Sequence, residues 1–325
     1  MVSIPFKKFM MAYKLPGAEL KFKFRESRPI YRFPCNLRNN NFGIHLGFPN
    51  RRGISLVFPF PRMIFPGKWR KVNGTPMLVE NCHGHFVFGG DKKMKEKMDY
   101  MEGMAKHLTD VCHVTSYLLQ YDGKVEEFDI FKCFVWNFVE RFEKIEMECD
   151  MTQDQVRFLL NNVKCDEMVL RSFVKEKVKV LQIKSKSLSV HRHGNWLTVD
   201  HIIGSECEKI TGQIHEAKPA KTVELVKEWQ NGEKLTNLKM LDLILGSKCT
   251  DQSPALEIID KFDGVKKFTE TEKQILEKGE MEGKFPSGEV RKILRATDGK
   301  IAVLSVNEHH VKMKVLENGE VLKDF

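Results

Sequence analysis

The chain contains 325 residues, of which 42% are apolar and 23 are Phe. This apolar content is sufficient for one or two packed domains and excludes an intrinsically disordered protein. The formal net charge of +9 would favour a polyanionic partner if it were evenly distributed. Residues 1–75, however, contain 15 basic and two acidic side chains, whereas residues 76–325 carry a net charge of −4. The sequence therefore predicts a basic leader, residues 1–75, followed by a slightly acidic body.

Neither a membrane span nor a secretory signal is indicated. No apolar run reaches the length of about 18 residues that a spanning helix needs, and the N-terminal residues lack the apolar stretch and cleavage site of a signal peptide. The eight cysteines are scattered and form no CxxC pair, which is typical of reduced thiols. We therefore expect a cytoplasmic or nuclear protein with no membrane partner.

The leader is rich in proline, and nine of the 12 prolines fall before residue 77. Because proline fixes φ and lacks a backbone donor, this stretch cannot be mostly helical. Three apolar or alternating runs within it, at 20–24, 42–46 and 54–58, have the pattern of short strands. We predict irregular short strands and loops, partly ordered by docking on the body.

Amphipathic helices are predicted in the body. Apolar residues from Phe131 to Phe142 recur at i, i+3, i+4, i+7 and i+11, which is a helical stripe. Three further helices carry start or stop signals: Thr152–Gln155 as a capping box, Trp196–Thr198 leading to a stop at Gly204, and Thr222 with a stop at Asn231–Gly232.

One short pattern recurs around these helices: apolar, two variable, apolar, one variable, apolar. Its copies are Val125/Phe128/Ile130, Phe142/Ile145/Met147, Cys165/Met168/Leu170, Val178/Leu181/Ile183, Leu238/Leu241/Leu243 and the weaker Cys207/Ile210/Gly212. The mean spacing of about 23 residues lies in the range of leucine-rich repeats. Because one strand-plus-helix unit cannot bury its apolar face alone, stacked units would form a parallel sheet with a continuous core. The predicted fold is therefore α/β, an irregular leucine-rich-repeat-like βα solenoid over residues 76–283.

The C-terminal residues change to a period of two. Asp298-Gly299 and Asn318-Gly319 are hairpin-turn dipeptides, and they flank strand-like runs at 301–306 and 311–315. We predict that residues 289–322 form a small antiparallel β meander with Lys312 and Lys314 on its solvated side, within a C-terminal β-hairpin cap of residues 284–325. Residues 247–283 are weakly periodic and are predicted to be a long connection, with at most a helix over 271–279.

No set of residues has the spacing of a catalytic or metal site. Cys82-His-Gly-His85 and His191-Arg-His193 lack a second pair of ligands at a supporting spacing. No phosphate-binding glycine motif and no recognisable cysteine-nucleophile turn occurs. We therefore predict no cofactor and no enzymatic activity. A nucleic-acid binder acting through the aromatic and basic leader is an alternative, although a basic face over buried rings is favoured.

Four stretches of the second half occur in an order and spacing typical of one protein family. They are Asn195-Trp-Leu-Thr-Val-Asp-His-Ile-Ile203 with Cys207-Glu-Lys-Ile210, Val226-Lys-Glu-Trp229 with Asn231-Gly232, Asn237-Leu-Lys-Met-Leu241, and Arg295-Ala-Thr-Asp-Gly-Lys300 with Ala302. Over about residues 100–316 the chain thereby resembles the nematode F-box-associated proteins, which carry the type 2 F-box-associated domain. The resemblance implies a substrate-recognition subunit of a Skp1–cullin–F-box ubiquitin ligase, whose F-box binds Skp1 and whose repeat region holds a target protein.

The N-terminus departs from the family pattern, because no amphipathic helices of an F-box follow Leu15-Pro16. Skp1 is therefore expected as a partner only if an F-box is present, and a stand-alone protein-binding repeat or an F-box-less remnant is the alternative. In repeats of this kind the variable positions between the apolar anchors face outward. The candidate protein-binding residues are accordingly Asp129, Glu146, Gln182, Thr211 and Asp242, with a solvated sheet face that binds nothing as the competing interpretation.

Overall fold

The computed structural model describes residues 18–24, 43–48, 51–57, 68–72, 75–82, 85–89, 94–123, 128–174, 176, 178–179, 182–191, 196–214, 218–246, 252–269 and 290–316. The chain divides into two compact units, residues 1–149 and residues 150–325. The division falls inside the predicted repeat region 76–283, and the predicted boundaries at 75/76 and 283/284 stay predictions.

The first unit contains eight described strands: β1 Ala18–Phe24, β2 Gly43–Phe48, β3 Arg51–Val57, β4 Lys68–Val72, β5 Thr75–Cys82, β6 His85–Gly89, β7 Val114–Asp122 and β8 Phe142–Glu148. Their order in the sheet is β8-β7-β1-β2-β3-β6-β5-β4. The unit's described helices are α1 Met94–Val111, a 3-10 turn at Ile130–Lys132 and the single-turn α2 Val135–Phe138. The short strands predicted in the leader are confirmed, because β1, β2 and β3 overlap all three predicted runs.

The long helix predicted over 131–142 is wrong. After the 3-10 turn and α2, the backbone becomes extended at Val139 and then enters β8. Aromatic packing explains the difference, because the rings of Phe134 and Phe138 both meet the buried ring of Phe22 edge-on, at 5.8 and 6.0 Å between centroids. These tertiary contacts outweigh the helical spacing of the stripe.

The second unit also contains eight described strands: β9 Cys165–Leu170, β10 Ser187–Val190, β11 Lys209–Ile214, β12 Met240–Leu245, β13 Val265–Lys267, β14 Val290–Leu294, β15 Ile301–Val306 and β16 His310–Val315. Its described helices are α3 Gln153–Asn162, α4 Val199–Ile203, α5 Pro219–Asn231 and α6 Ser253–Ile259. The strand order is β13-β14-β15-β16-β12-β11-β10-β9. Large sheets with few helices confirm a mixed α/β fold.

Strand direction divides this second sheet into two halves. Strands β9, β10, β11 and β12 run parallel and lie side by side in chain order; we call them the parallel half. Strands β16, β15, β14 and β13 each pair antiparallel with the preceding neighbour, beginning at β12, and form the antiparallel half.

The predicted capping signals of the second unit are largely confirmed. Thr152 caps α3 and Thr198 caps α4, each through a complete capping box, and Gly232 ends α5 with a left-handed φ of 73°. Thr222, by contrast, is not a cap. Helix α5 begins three residues earlier at Pro219, a residue suited to the first helical turn, and the buried Thr222 hydroxyl donates a hydrogen bond to Gln252.

Four copies of the recurring apolar pattern coincide with strands, namely those at 142–147, 165–170, 207–212 and 238–243. Two copies do not. The described residues of the copy at 125–130 lie in a loop and the 3-10 turn, and Val125 lies outside the described residues. The described residues of the copy at 178–183 form no strand; β10 lies further along the chain, where it pairs with both β9 and β11 and so buries Leu188 and Val190.

The predicted C-terminal meander is confirmed over residues 290–316, and the turn at Asp298-Gly299 joins β14 to β15. The second dipeptide, Asn318-Gly319, lies outside the described residues, as does 271–279. The predicted long connection over residues 247–283 contains the helix α6 and the strand β13. Both elements are too short to give a clear periodic pattern in the sequence.

The predicted solvation of Lys312 is wrong. Its residue is only 4% exposed, and its ammonium group lies 3.4 Å from the Asp242 carboxylate, an ion pair that compensates the charge for its burial. Lys314 is half-buried.

Candidate interaction surface

The sheet of the second unit has two chemically different faces. On the inner face, residues such as Leu241 are fully buried. The helices lie on this side, because Arg295 stacks on the ring of Trp229 in α5 at 5.2 Å, and Arg291 forms two hydrogen bonds with Asp260, which follows α6. The alternate strand residues lie on the opposite side, which we call the outer face.

Two of the predicted protein-binding residues are neighbours on the outer face. Thr211 and Asp242 are register partners on β11 and β12. Thr211 also shares a hydrogen bond of 2.8 Å with the hydroxyl of Ser189, its register partner on β10. Thr211 and Asp242, which the repeat pattern predicted, thus form one continuous polar row with Ser189 across β10, β11 and β12.

The same row continues into the antiparallel half and becomes buried there. Asp242 is in register with Lys312, and their charged atoms are 3.4 Å apart. The Lys312 side chain is 6% exposed and that of Asp242 is 31% exposed, so this ion pair is partly removed from water. The next register partner, Ser305, is fully buried, and its hydroxyl has no hydrogen-bond partner. The centre of the outer face is therefore a desolvated polar position rather than a solvated edge.

A second row lies beside the first and carries most of the positive charge. Its register partners, from β11 through β12, β16, β15 and β14 to β13, are Lys209, Met240, Lys314, Val303, Lys292 and Lys266; we call this set the lysine row. Sequence reasoning missed it because these residues come from six separate strands. Only the register, and not the spacing along the chain, brings them together.

The remaining three predicted residues lie outside the strands of the second unit. Asp129 and Glu146 belong to the first unit, where Asp129 caps the 3-10 turn and Glu146 pairs with Lys144 at 3.2 Å. Gln182 is exposed, but it follows no strand alternation, because the copy of the pattern that contains it is not a strand.

Two of the motifs that carry the family resemblance, those at 226–232 and 295–302, meet at one end of the second sheet. Arg295 is held by two hydrogen bonds to Asp298, by a third to the Thr236 carbonyl at 3.1 Å, and by the Trp229 ring. Gly232 lies against Thr297, where a Cβ would clash. The Arg295 guanidinium lowers the pKa of the Asp298 carboxyl well below its usual range. These contacts give the motif residues a structural role.

A cavity of about 310 Å³ adjoins this cluster. It is lined by Glu208, Thr236, Asn237, Leu238, Lys239, Lys300, Val315 and Leu316. Its carboxylate and one of its ammonium groups are already paired with each other, Lys239 to Glu208 at 3.0 Å. The lining therefore has no convergent set of polar groups that defines a ligand.

Two buried titratable side chains of the second unit, those of His201 and Cys207, have structural contacts. His201 is buried in α4, accepts the Thr198 backbone N–H at Nδ1 and contacts the Val178 carbonyl through Nε2 at 3.1 Å, and burial lowers its pKa. Burial has the opposite effect on an acid, and it raises the pKa of the Cys207 thiol to about 11. Within the described ranges no group of three or more His, Cys, Asp or Glu residues could hold a metal ion.

Comparisons with known proteins give no relative. The chain matches no protein-family model, no curated protein sequence and no solved structure. Among the helices that the structure describes, none is long and apolar enough to cross a membrane.

Proposed function

We propose that this chain is a non-enzymatic protein-interaction module of the F-box-associated type, which holds a target protein on the outer face of its second sheet. The parallel strands β9 to β12 lie in chain order with helices on one side, which supports an irregular leucine-rich-repeat-like arrangement. In such an arrangement the face opposite the helices is available to a partner.

The relative position of Thr211 and Asp242 is the main support for the proposal. Thr211 and Asp242, selected only because they lie between apolar anchors, are register partners on the face opposite the helices. A surface made by neighbouring strands of one rigid sheet is pre-organised, so a partner need not order it on binding. The motif cluster around Arg295 supports the same family assignment by giving those residues a common structural purpose.

Membership of a ubiquitin ligase is a separate part of the proposal. Skp1 binds the protein only if it contains an F-box, and the compartment is then the cytoplasm or the nucleus. Size-exclusion chromatography of the full chain with purified Skp1 tests this part. Co-elution supports a ligase adaptor, whereas separate elution leaves a stand-alone binding module.

Site-specific photo-crosslinking tests the interaction surface itself. A photoreactive amino acid replaces Thr211 on the outer face, and a matched variant carries it in place of the exposed Lys227 on α5. The proposal predicts a crosslinked protein from cells with the Thr211 variant and none with the Lys227 variant. Equal products from both positions, or none from Thr211, would contradict it.

A further inference from the structure

A third row of the outer face lies near the carboxyl ends of the parallel strands. Gln213, Ile244 and His310 are register partners on β11, β12 and β16. Arg171 and His191 extend this row across β9 and β10, because each directly follows the last residue of its strand and those last residues are themselves in register. We call these five residues the strand-end row. It lies next to the polar row on which the proposed function depends.

The backbone beyond β9 keeps Arg171 on the outer face. Ser172 is 1% exposed whereas Phe173 is 38% exposed, so the side chains continue to alternate after the strand ends. The backbone N–H of His191 donates a hydrogen bond to the Leu170 carbonyl, which extends the parallel pairing by one residue. Burial and the nearby Arg171 guanidinium lower the pKa of His191. The two cationic side-chain types of the row are therefore neighbours.

The polar groups of the strand-end row are not satisfied within the described part of the chain. In the neighbouring polar row, Thr211 shares a hydrogen bond with Ser189, and Asp242 forms an ion pair with Lys312. By contrast, no side chain of the strand-end row forms a hydrogen bond or an ion pair with another described residue. The row thus contains a guanidinium, two imidazoles and an amide that can all bind an external group.

The strand-end row is also accessible. The Ile244 residue is 47% exposed, His191 is exposed, and Arg171, Gln213 and His310 are half-buried. A single exposed isoleucine is ordinary on a protein surface. Here, however, Ile244 lies in one line with a guanidinium that has no ion pair among the described residues, and this combination is typical of a surface that another protein covers.

We propose that the strand-end row binds an extended segment of a partner protein in which an Asp or Glu lies four residues from a large apolar residue. The inference rests on the proposed function and names the chemistry of the partner. Arg171 and Ile244 are three strands apart, which is about 14 Å at about 4.8 Å per strand. Side chains four residues apart in an extended chain lie on one face, about 13 Å from each other. The carboxylate therefore reaches the guanidinium when the apolar side chain covers Ile244.

The residue between these two anchors suits a peptide backbone. Gln213 lies on β11, beside Ile244 and between it and the β9 end of the row. A side-chain amide both donates and accepts hydrogen bonds, so Gln213 can pair with a backbone carbonyl and a backbone N–H of the segment. Arginine adds direction, because its planar guanidinium binds a carboxylate through two parallel hydrogen bonds.

The number of charges favours a carboxylate over a phosphate or a nucleic acid. Phosphorylated segments carry nearly two negative charges per phosphate and are bound by clusters of arginine. The strand-end row contains one permanent cation, Arg171, because the lowered pKa of His191 keeps that imidazole neutral at pH 7. Single-stranded nucleic acids are bound by aromatic rings that stack on the bases, and the row contains no phenylalanine, tyrosine or tryptophan.

Fluorescence anisotropy of the full chain tests the inference with the labelled peptide Ala-Thr-Glu-Thr-Ser-Thr-Leu-Thr-Ala. We expect binding that weakens at least about tenfold in Arg171→Gln, which removes the bidentate pair, and in Ile244→Ser, which removes the apolar contact. Lys227→Gln on α5 is the matched control, because it also removes one exposed positive charge, and it should leave the affinity unchanged. A peptide with Glu and Leu only three residues apart should bind at least about tenfold more weakly, because the two side chains then point to opposite faces.

Three results would overturn the inference. They are equal binding of the peptide with the three-residue spacing, equal loss of affinity in Lys227→Gln and Arg171→Gln, and tighter binding when phosphoserine replaces the Glu. Equal urea midpoints of the native chain and the variants establish that a loss of affinity is not a loss of folding. A partner crosslinked at Thr211 whose affinity is the same for Arg171→Gln, Ile244→Ser and the native chain would refute this inference alone. Absence of both a crosslink and peptide binding would refute the proposed function as well.

Discussion

The parallel and antiparallel halves of the second sheet share one kind of inner face but differ on the outer face. The inner residues Ile210 and Leu241 of the parallel half and Met313 and Leu304 of the antiparallel half are all fully buried. The outer residues of β10 and β11 are small or neutral except Lys209, whereas those of β13, β14 and β16 include four lysines, Lys266, Lys292, Lys312 and Lys314. Stability is therefore distributed along the whole sheet, whereas the positive charge of the outer face is concentrated in one half.

The largest expected effect distinguishes a buried outer position from an exposed one. Lys312→Glu would place a buried carboxylate beside Asp242, and we expect a loss of at least about 3 kcal/mol in the free energy of unfolding. Lys209→Glu, on an exposed position of the parallel half, should cost less than about 1 kcal/mol. Urea denaturation measures both, and similar losses would contradict the burial of Lys312.

The next largest loss of stability is expected in the motif cluster around Arg295, which directly follows β14. Arg295→Met removes a buried guanidinium that holds Asp298, the Thr236 carbonyl and the Trp229 ring, with an expected cost of about 2 to 3 kcal/mol. Arg157→Met removes an exposed ion pair with Asp154 and should cost less than about 0.5 kcal/mol. Equal midpoints in urea for the two variants would refute a structural role for the cluster.

A smaller effect tests the hydrogen-bonded row of the parallel half. A double-mutant cycle of Ser189→Ala and Thr211→Val should give a coupling energy of about 1 kcal/mol, because the two hydroxyls are partners at 2.8 Å. Strict additivity of the two single variants would show that the row is not connected in solution.

The smallest effect is a difference in pH dependence between the two halves. Because burial lowers the pKa of His201, the unfolded chain binds its proton first, so stability should be full above about pH 6.5 and decline below it. The neighbouring Asp200 opposes this shift. In the antiparallel half, the Arg291 hydrogen bonds lower the pKa of Asp260, whose contribution is present above about pH 4 and lost further into acid.

His201→Gln isolates the first of these transitions. Glutamine is a usual residue at this position of a capping box, so α4 should keep its cap while losing the titrating group. Unfolding free energies measured from pH 7 to pH 5 should fall less steeply in the variant than in the native chain. An unchanged slope would assign the transition to other groups, such as His191, whose pKa burial also lowers.

Local signals in the sequence were sufficient to predict where several helices begin or end. The capping box at Thr152, the short helix after Thr198 and the stop at Gly232 lie where predicted, because each depends on a few adjacent residues. The helix over 131–142 failed because Phe22, more than 100 residues away, determines how those rings pack.

The candidate surface was only partly predictable for the same reason. Alternation within β11 and β12 placed Thr211 and Asp242 on the face opposite the buried residues. The ion pair of Lys312 with Asp242 depends on the pairing of β16 with β12, and the lysine row depends on the register of six strands. Pairing between distant strands cannot be read from spacing along the chain.

The most direct test of an interaction surface on the outer face is the affinity of the chain for the protein crosslinked at Thr211. With that partner purified, its dissociation constant is compared between the native chain, Thr211→Arg on the outer face and Lys227→Glu on α5. We expect Thr211→Arg to bind at least about tenfold more weakly than the native chain and Lys227→Glu to bind equally well. All three proteins should be equally folded by circular dichroism. Equal affinity of the native chain and Thr211→Arg would contradict an interaction surface on the outer face.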